Sequence, residues 1–322
     1  MATEIVKTIK PSGGDYTSLQ AFMVGEARNL VTADEIAVAE CYAMEDTTPV
    51  VIDGFTTDAT RYIKVTVAVG NRHSGKIDAS PSGYYRLVVS GDINILVKEN
   101  FVWIDYLYLS GDATETILRT YAVDVGIFSM SNSVIAAGGD LMLSDNYGDP
   151  YTVKLWNNLI KSTNSSYAAI WANKAGLTAY IYNNTILGTY RAITQENSAT
   201  VIAKNNIFMK GSDANPCSGT YAIGTDYNAT NHSSIGYTVT GSGNIHDVVS
   251  ADFDFDDAAN GDYHIGVDSD AKDAGTDLSG DGNLAFSDDI DGDIRSGTWD
   301  IGADEYVSAP PSGNPWYYYA QQ

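Results

Sequence analysis

The chain reads as an all-β protein, a single parallel β-helix with a capping helix at its N-terminal end and a short aromatic tail at its C-terminal end. Three observations predict this: a strand-like segment that recurs, the alternation of apolar residues within each copy, and an amide column that keeps register between copies. Five segments line up: "FVWIDYLYL" (101–109), "FSMSNSVIA" (128–136), "VKLWNNLIK" (153–161), "AYIYNNTIL" (179–187) and "VIAKNNIFM" (201–209). The fifth residue of each is Asp105, Asn132, Asn157, Asn183 or Asn205, at steps of 27, 25, 26 and 22 residues.

The elements follow in chain order. "DYTSLQAFMVGEARNL" (15–30) is the one helical pattern, with a capping box from Thr17 to Gln20 and Leu19, Phe22, Met23 and Leu30 on one face. An open solenoid end exposes core and unpaired strand edges, so this helix is assigned as the cap, within an N-terminal unit of residues 1–30. "EIAVAE" (35–40), "PVVIDGF" (49–55), "YIKVTVAV" (62–69) and "YYRLVVSG" (84–91) read as early, less regular rungs.

In all five copies, positions −4 (Phe101, Phe128, Val153, Ala179, Val201) and −2 (Trp103, Met130, Leu155, Ile181, Ala203) from the amide column are apolar and are expected to point inward, while −3 and −1 are mixed and point outward. A strand followed by a return of about twenty residues cannot be a hairpin meander; it suits stacked turns. Stacking at about 4.8 Å lets the column amides hydrogen-bond to one another, and Asn tolerates the left-handed backbone of a sharp corner. A second strand per turn is expected from "YAVDVGIF" (121–128), "YAAIWAN" (167–173) and "YRAITQEN" (190–197). The whole gives about ten rungs, a rod of about 50 Å, over residues 31–306.

Segment 210–244 is an enlarged Gly/Ser/Asn-rich loop. From Asp252 to Glu305 seventeen acidic residues face Lys272 and Arg295 alone. Residues 307–322 are a Pro/Gly linker and the peptide "NPWYYYAQQ" (314–322).

With 18 Lys and Arg against 41 Asp and Glu, the net charge of −23 disfavours nucleic acid, anionic membranes and polyanionic substrates such as pectate. No run of residues is long and apolar enough to span a membrane, and "MATEIVKTIK" lacks the apolar core of a secretory signal. Cys41 and Cys217 are too few for a disulfide framework and are expected as buried small residues.

The opening "VKTIKPSGGDYTSLQAF", the segment "TTDATRYIKVTV" (56–67), the "NNT" and "NNI" rungs and the closing "DIDGDIRSGTWDIGADEY" resemble right-handed parallel β-helix repeat proteins. Such proteins occur on bacterial surfaces and among the structural proteins of tailed phages. The resemblance spans residues 5–306 and implies a right-handed coil that the acidic motif finishes. It also implies a structural or adhesive role of tail-fibre, spike or decoration type, at a virion or extracellular surface.

Several residues are candidates for chemistry. "DLSGDGNLAFSD" (277–288) fits a calcium-loop template, with Asp277, Ser279, Asp281, Asn283 and Asp288 as oxygen donors around the Gly282 turn, although position 12 is Asp rather than Glu. Trp156, Tyr180 and Tyr182 occupy outward positions on adjacent rungs and suit sugar rings, a neighbouring subunit, or cover by the return loops. Trp316, Tyr317, Tyr318 and Tyr319 form an anchor expected to dock on another virion or surface protein, with homo-oligomerisation as one outcome. The competing function is a polysaccharide lyase or glycoside hydrolase working in a groove along the coil. Against it, Asp105 and Asp124 look isolated, and Lys154, Arg191 and Lys204 are single charges. His73, His232, His246 and His264 lie in irregular segments. A buried carboxylate pair with shifted titration beside Trp156 or Tyr180 is the feature that favours the enzyme.

Overall fold

The computed structural model describes residues 2–78, 82–91, 93–111, 116–121, 125–143, 151–210, 215–237, 243–245 and 250–308. The alternating segments stack as three parallel sheets wound into one right-handed β-helix of about seven turns. A regular turn visits the first sheet (Gly126–Ser131), a second (Val134–Ala137) and a third (Asp140–Leu143) before returning. The sheets hold eight, eight and seven strands. Three sheets per turn explain why about ten rungs were expected and about seven are found. Of the early segments, Glu35–Cys41 and Ile63–Val67 belong to the first sheet, Val50–Ile52 to the third and Tyr85–Val88 to the second. They are successive sides of the same turns.

Inward residues build one continuous core. Phe128 and Met130, Val153 and Leu155, Ala179 and Ile181, and Val201 and Ala203 are all buried, as the alternation requires. Segment 101–109 departs by one residue. Phe128 and Met130 pair with Val102 and Ile104, so Tyr106 rather than Asp105 falls at the corner. Its φ of 59° matches the 48°, 53°, 49° and 54° of Asn132, Asn157, Asn183 and Asn205. A one-residue slip turns every side chain over: Val102 and Ile104 are buried, and Phe101 and Trp103 face outward. The third-sheet strands Ala168–Asn173 and Arg191–Glu196 fall where the second strand per turn was expected, but the matching strand before Gly126 is Thr116–Thr120, not 121–128.

Helix Leu19–Glu26 lies against Val50–Ile52, the end strand of the third sheet. It starts at Ser18, not Thr17, because Ser18 Oγ accepts from the Ala21 amide at 3.1 Å. Gln20 instead accepts the Val51 N–H at 2.6 Å, a donor on the uncovered edge. Cys41 and Cys217 are free and buried. No helix among the described residues is long and apolar enough to cross a membrane.

The corner between the first and second sheets carries two amide columns. Outside, Asn157 donates to Asn132 Oδ1 at 3.1 Å and Asn205 to Asn183 Oδ1 at 3.0 Å. One residue on, the fully buried Asn158, Asn184, Asn206 and Asn228, continued by the half-buried Asn244, form a longer ladder. From Asn184 onward each Oδ1 accepts the backbone N–H of the Asn one turn before at 2.9–3.0 Å, and Asn158 Oδ1 accepts that of Ser133 at 3.0 Å.

Residues 250–308 do not finish the coil in the expected way. Apart from a short antiparallel pair, Phe255–Asp257 with Asp262–Ile265, they are irregular and lie along the outer amide column. Asn205 donates to Thr276 O, Asn183 to Asp300 O and Gly302 O, and both Asn157 and Asn132 to Asp288. A ladder uses only part of an amide's bonding capacity, and the side-on amides need lateral partners. The closing segment supplies them.

Candidate functional site

The docked segment decides which surfaces stay open. On the first sheet it buries Trp156 and Tyr182, 9% and 0% exposed, under Leu278, Leu284 and Trp299, with Phe286, Trp103 and Tyr180 at the edge. On the second it packs Tyr263, Ile290 and Ala303 against Tyr108, Val134 and Leu159. Trp156 and Tyr182 do point outward, as the alternation predicts, but their rings are covered. Tyr180 is half-buried and donates its hydroxyl to Asn283 Oδ1 at 3.2 Å.

The calcium-template residues are divided between tasks. Asp277 Oδ1 accepts the Ser279 amide at 2.8 Å. Asp281 accepts the Asn283 and Leu284 amides and an ion pair from Lys204 at 2.6 Å. Burial pushes its carboxyl up, but Lys204 and the amides outweigh that and hold it below the usual range. The Asn283 carbonyl accepts from Lys154 Nζ. Asp288 sits apart at the Asn132–Asn157 corner. Among the described residues, three His, Cys, Asp or Glu ligand atoms gather within 4.8 Å elsewhere, at His264, Asp291 and Asp304.

The acidic motif is a set of backbone caps around one cation. Asp289 accepts the amides of Asp291, Asp293 and Glu305; Asp300 those of Asp273 and Tyr306; Asp304 that of Ile265. Burial pushes Asp289 up to about 7, and Asp300 and Asp304 each up to about 6. Arg295, its side chain wholly buried, donates to Asp288 O, Asn157 Oδ1, Gly302 O, Ala303 O and Glu305 Oε2 at 2.8–3.2 Å. The carboxylates hold a loop in shape, so the density of acid is architectural.

Asp105 is not isolated. Asn132 Nδ2 donates to Asp105 Oδ1 at 3.1 Å and to Asp288 Oδ2 at 3.3 Å, bringing two carboxylates to one amide. Burial raises the pKa of both. Ser131 Oγ donates to Asp105 at 2.8 Å and accepts from Trp103 Nε1 at 2.9 Å. Trp103 in turn lines a recess of about 190 Å³ with Tyr62, Phe101, Ser129 and Lys154. Only the structure brings residue 288 to residue 105.

The third sheet carries a recess that the sequence did not single out. Tyr167 and Trp171 stack with ring centroids 6.1 Å apart and planes 23° apart. They share a space of about 210 Å³ with Tyr190, Arg191, Thr194 and Glu196. Asn164 Oδ1 accepts the Ser166 and Tyr167 amides at 2.8 and 3.0 Å, which fixes the turn presenting Tyr167. Trp171 Nε1 donates to Glu196 Oε2 at 3.1 Å, and the Arg191 guanidinium stands 4.9 Å from the Tyr190 ring centroid. Tyr167 is 43% exposed. The legible signal was parity for Trp171, which faces outward on the strand Ala168–Asn173, while Tyr167 sits in the turn just before that strand. The tail residues Trp316, Tyr317, Tyr318 and Tyr319, together with His246 and Asp124, lie outside the described residues.

Fold and surface together define the class: a single right-handed parallel β-helix, clasped along one corner by its own closing segment. No protein-family model, no curated protein and no solved structure matches the chain.

Proposed function

We propose that the chain is a rigid structural or adhesive β-helix protein of a virion or cell surface that binds carbohydrate at the third-sheet recess. The observation that carries this reading is the stacked Tyr167–Trp171 pair with Arg191 and Glu196 at its side. Aromatic faces suit the apolar faces of sugar rings, and the charged groups suit their hydroxyls. The space has room for one ring. A hydrogen-bonded coil is a rigid spacer, and the negative surface resists non-specific association. Partners at the aromatic tail and assembly into a homo-oligomer belong to the same reading.

The test is titration of the full chain with neutral and acidic surface-polysaccharide fragments, read by tryptophan fluorescence and calorimetry. Trp171→Ala is expected to weaken binding at least about tenfold, about 1.4 kcal/mol, while Tyr180→Phe leaves it unchanged. Saturable binding indifferent to Trp171, or no binding across the panel, overturns the assignment.

The Asp105–Asn132–Asp288 arrangement favours a second reading, a glycoside hydrolase. Two carboxylates held at one amide, both with the pKa raised by burial, are the groups such hydrolysis uses. Release of reducing ends by the parent chain, abolished in both Asp105→Asn and Asp288→Asn, is the expected result on this reading. Binding without turnover over the same panel removes it.

A further inference from the structure

We infer that His264, Asp291 and Asp304 form a binding site for one divalent transition-metal ion, of the zinc class, that ties three stretches of the closing segment together beside the turn at Gly75. The three ligand atoms come from separate stretches of that segment. His264 lies on the strand Asp262–Ile265, and Asp291 and Asp304 lie on the two arms of the acidic motif. Their donor atoms already lie within 4.8 Å of one another.

The imidazole is aimed for ligation. Its Nδ1 faces Asp262 Oδ1 at 2.5 Å, and the other Asp262 oxygen is paired with the Lys76 ammonium. A carboxylate on one ring nitrogen fixes the tautomer and leaves the other as the metal ligand, the usual outer support of a histidine–metal bond. That other nitrogen, Nε2, faces Asp291 Oδ2 at 2.8 Å. Asp304 is held by the Ile265 amide at 2.8 Å, which orients its carboxylate without occupying both oxygens.

An independent observation concerns space. Gly75 has φ +64°, and a Cβ added there would lie 2.6 Å from His264 Nε2 and 3.0 Å from Asp291 Oδ1. The missing methyl leaves open space beside the donor atoms, which any side chain at this position would crowd. One imidazole and two carboxylates suit zinc, with a fourth position for water; calcium and magnesium prefer oxygen throughout. Asp291 is exposed, so an ion has a way in.

The site is separate from the third-sheet recess, and its test does not depend on the glycan reading. The full chain, stripped with a chelator, is titrated with zinc chloride near neutral pH by calorimetry, and with Co²⁺ as a spectroscopic probe. One ion per chain, visible Co²⁺ bands of tetrahedral intensity and a higher melting temperature are expected. Asp262→Asn should weaken binding about 10–100-fold through loss of the outer support. Asp291→Asn at the exposed ligand and Gly75→Ala in that space should each abolish the Co²⁺ bands, and both leave the coil's core residues in place. A parent chain that gives neither heat nor bands, with His264 held only as an ion pair between Asp262 and Asp291, overturns the inference. So does undiminished binding in both Asp291→Asn and Gly75→Ala.

Discussion

Arg295→Ala is expected to destabilise the closing segment by about 3–5 kcal/mol, the usual consequence of removing one partner from a buried ion pair. The guanidinium reaches Asp288 O, Asn157 Oδ1, Gly302 O, Ala303 O and Glu305 Oε2 from a fully buried position. Truncation leaves these acceptors short of a donor and leaves Glu305 without its cation, beside Asp289, Asp300 and Asp304. Arg295→Lys should not rescue it. A single ammonium on a flexible stem cannot reproduce five contacts made by a planar fork. Because the Asn157 contact joins the motif to the coil, the loss should appear as local release. Hydrogen exchange should rise across 277–305 before the turns of the coil open. Denaturant unfolding and exchange mass spectrometry check this. A variant within 1 kcal/mol of the parent, with unchanged exchange over 277–305, would show that the acids hold the loop without Arg295.

Alternation and the spacing of the Asn column carry most of the coil, because both follow from local geometry: a two-residue period for each strand and a left-handed residue at each corner. The register error at 101–109 has a local cause as well. Asp105 imitates the column Asn chemically, while Tyr106 takes the left-handed conformation that a bulky residue seldom adopts. The inner ladder is present in the sequence as the second Asn of "NNL", "NNT" and "NNI", at a position that strand alternation leaves unassigned because it follows the corner.

What strand patterns cannot reveal is which outward face another part of the chain will cover. Trp156 and Tyr182 satisfy every rule for an exposed platform until residues 278–299 are laid over them. Trp171, on the side that this segment leaves open, looks no different in the alternation. Asp105 and Asp288, 183 residues apart, share Asn132 for the same reason. The sites of this molecule depend on long-range docking, and its coil on short-range pattern.

That division makes the interior ladder the sharper test of the coil. Asn184 is completely buried on a central turn. Its Oδ1 accepts from Asn158 N at 3.0 Å and Nδ2 at 2.9 Å; its Nδ2 donates to Leu155 O, Tyr182 O and Asn206 Oδ1 at 2.9–3.0 Å. Asn184→Ala leaves the Asn158 N–H buried without that acceptor, worth about 1–3 kcal/mol by itself. With the other lost bonds and a small cavity, a total near 3 kcal/mol is expected. Asn184→Asp, of almost the same shape, should be at least as harmful, because its second oxygen then faces the Leu155 and Tyr182 carbonyls. Asn173→Ala, on the outer face of the preceding turn, should stay within about 0.5 kcal/mol of the parent. In a stack whose stability is a sum of nearest-neighbour terms, weakening a central interface should also split thermal unfolding into two transitions, one for each side of the break. A single sharp transition, or an Asn184→Ala cost below about 1 kcal/mol, would mean that sheet pairing and apolar stacking hold the turns together and that the ladder only fills the corner.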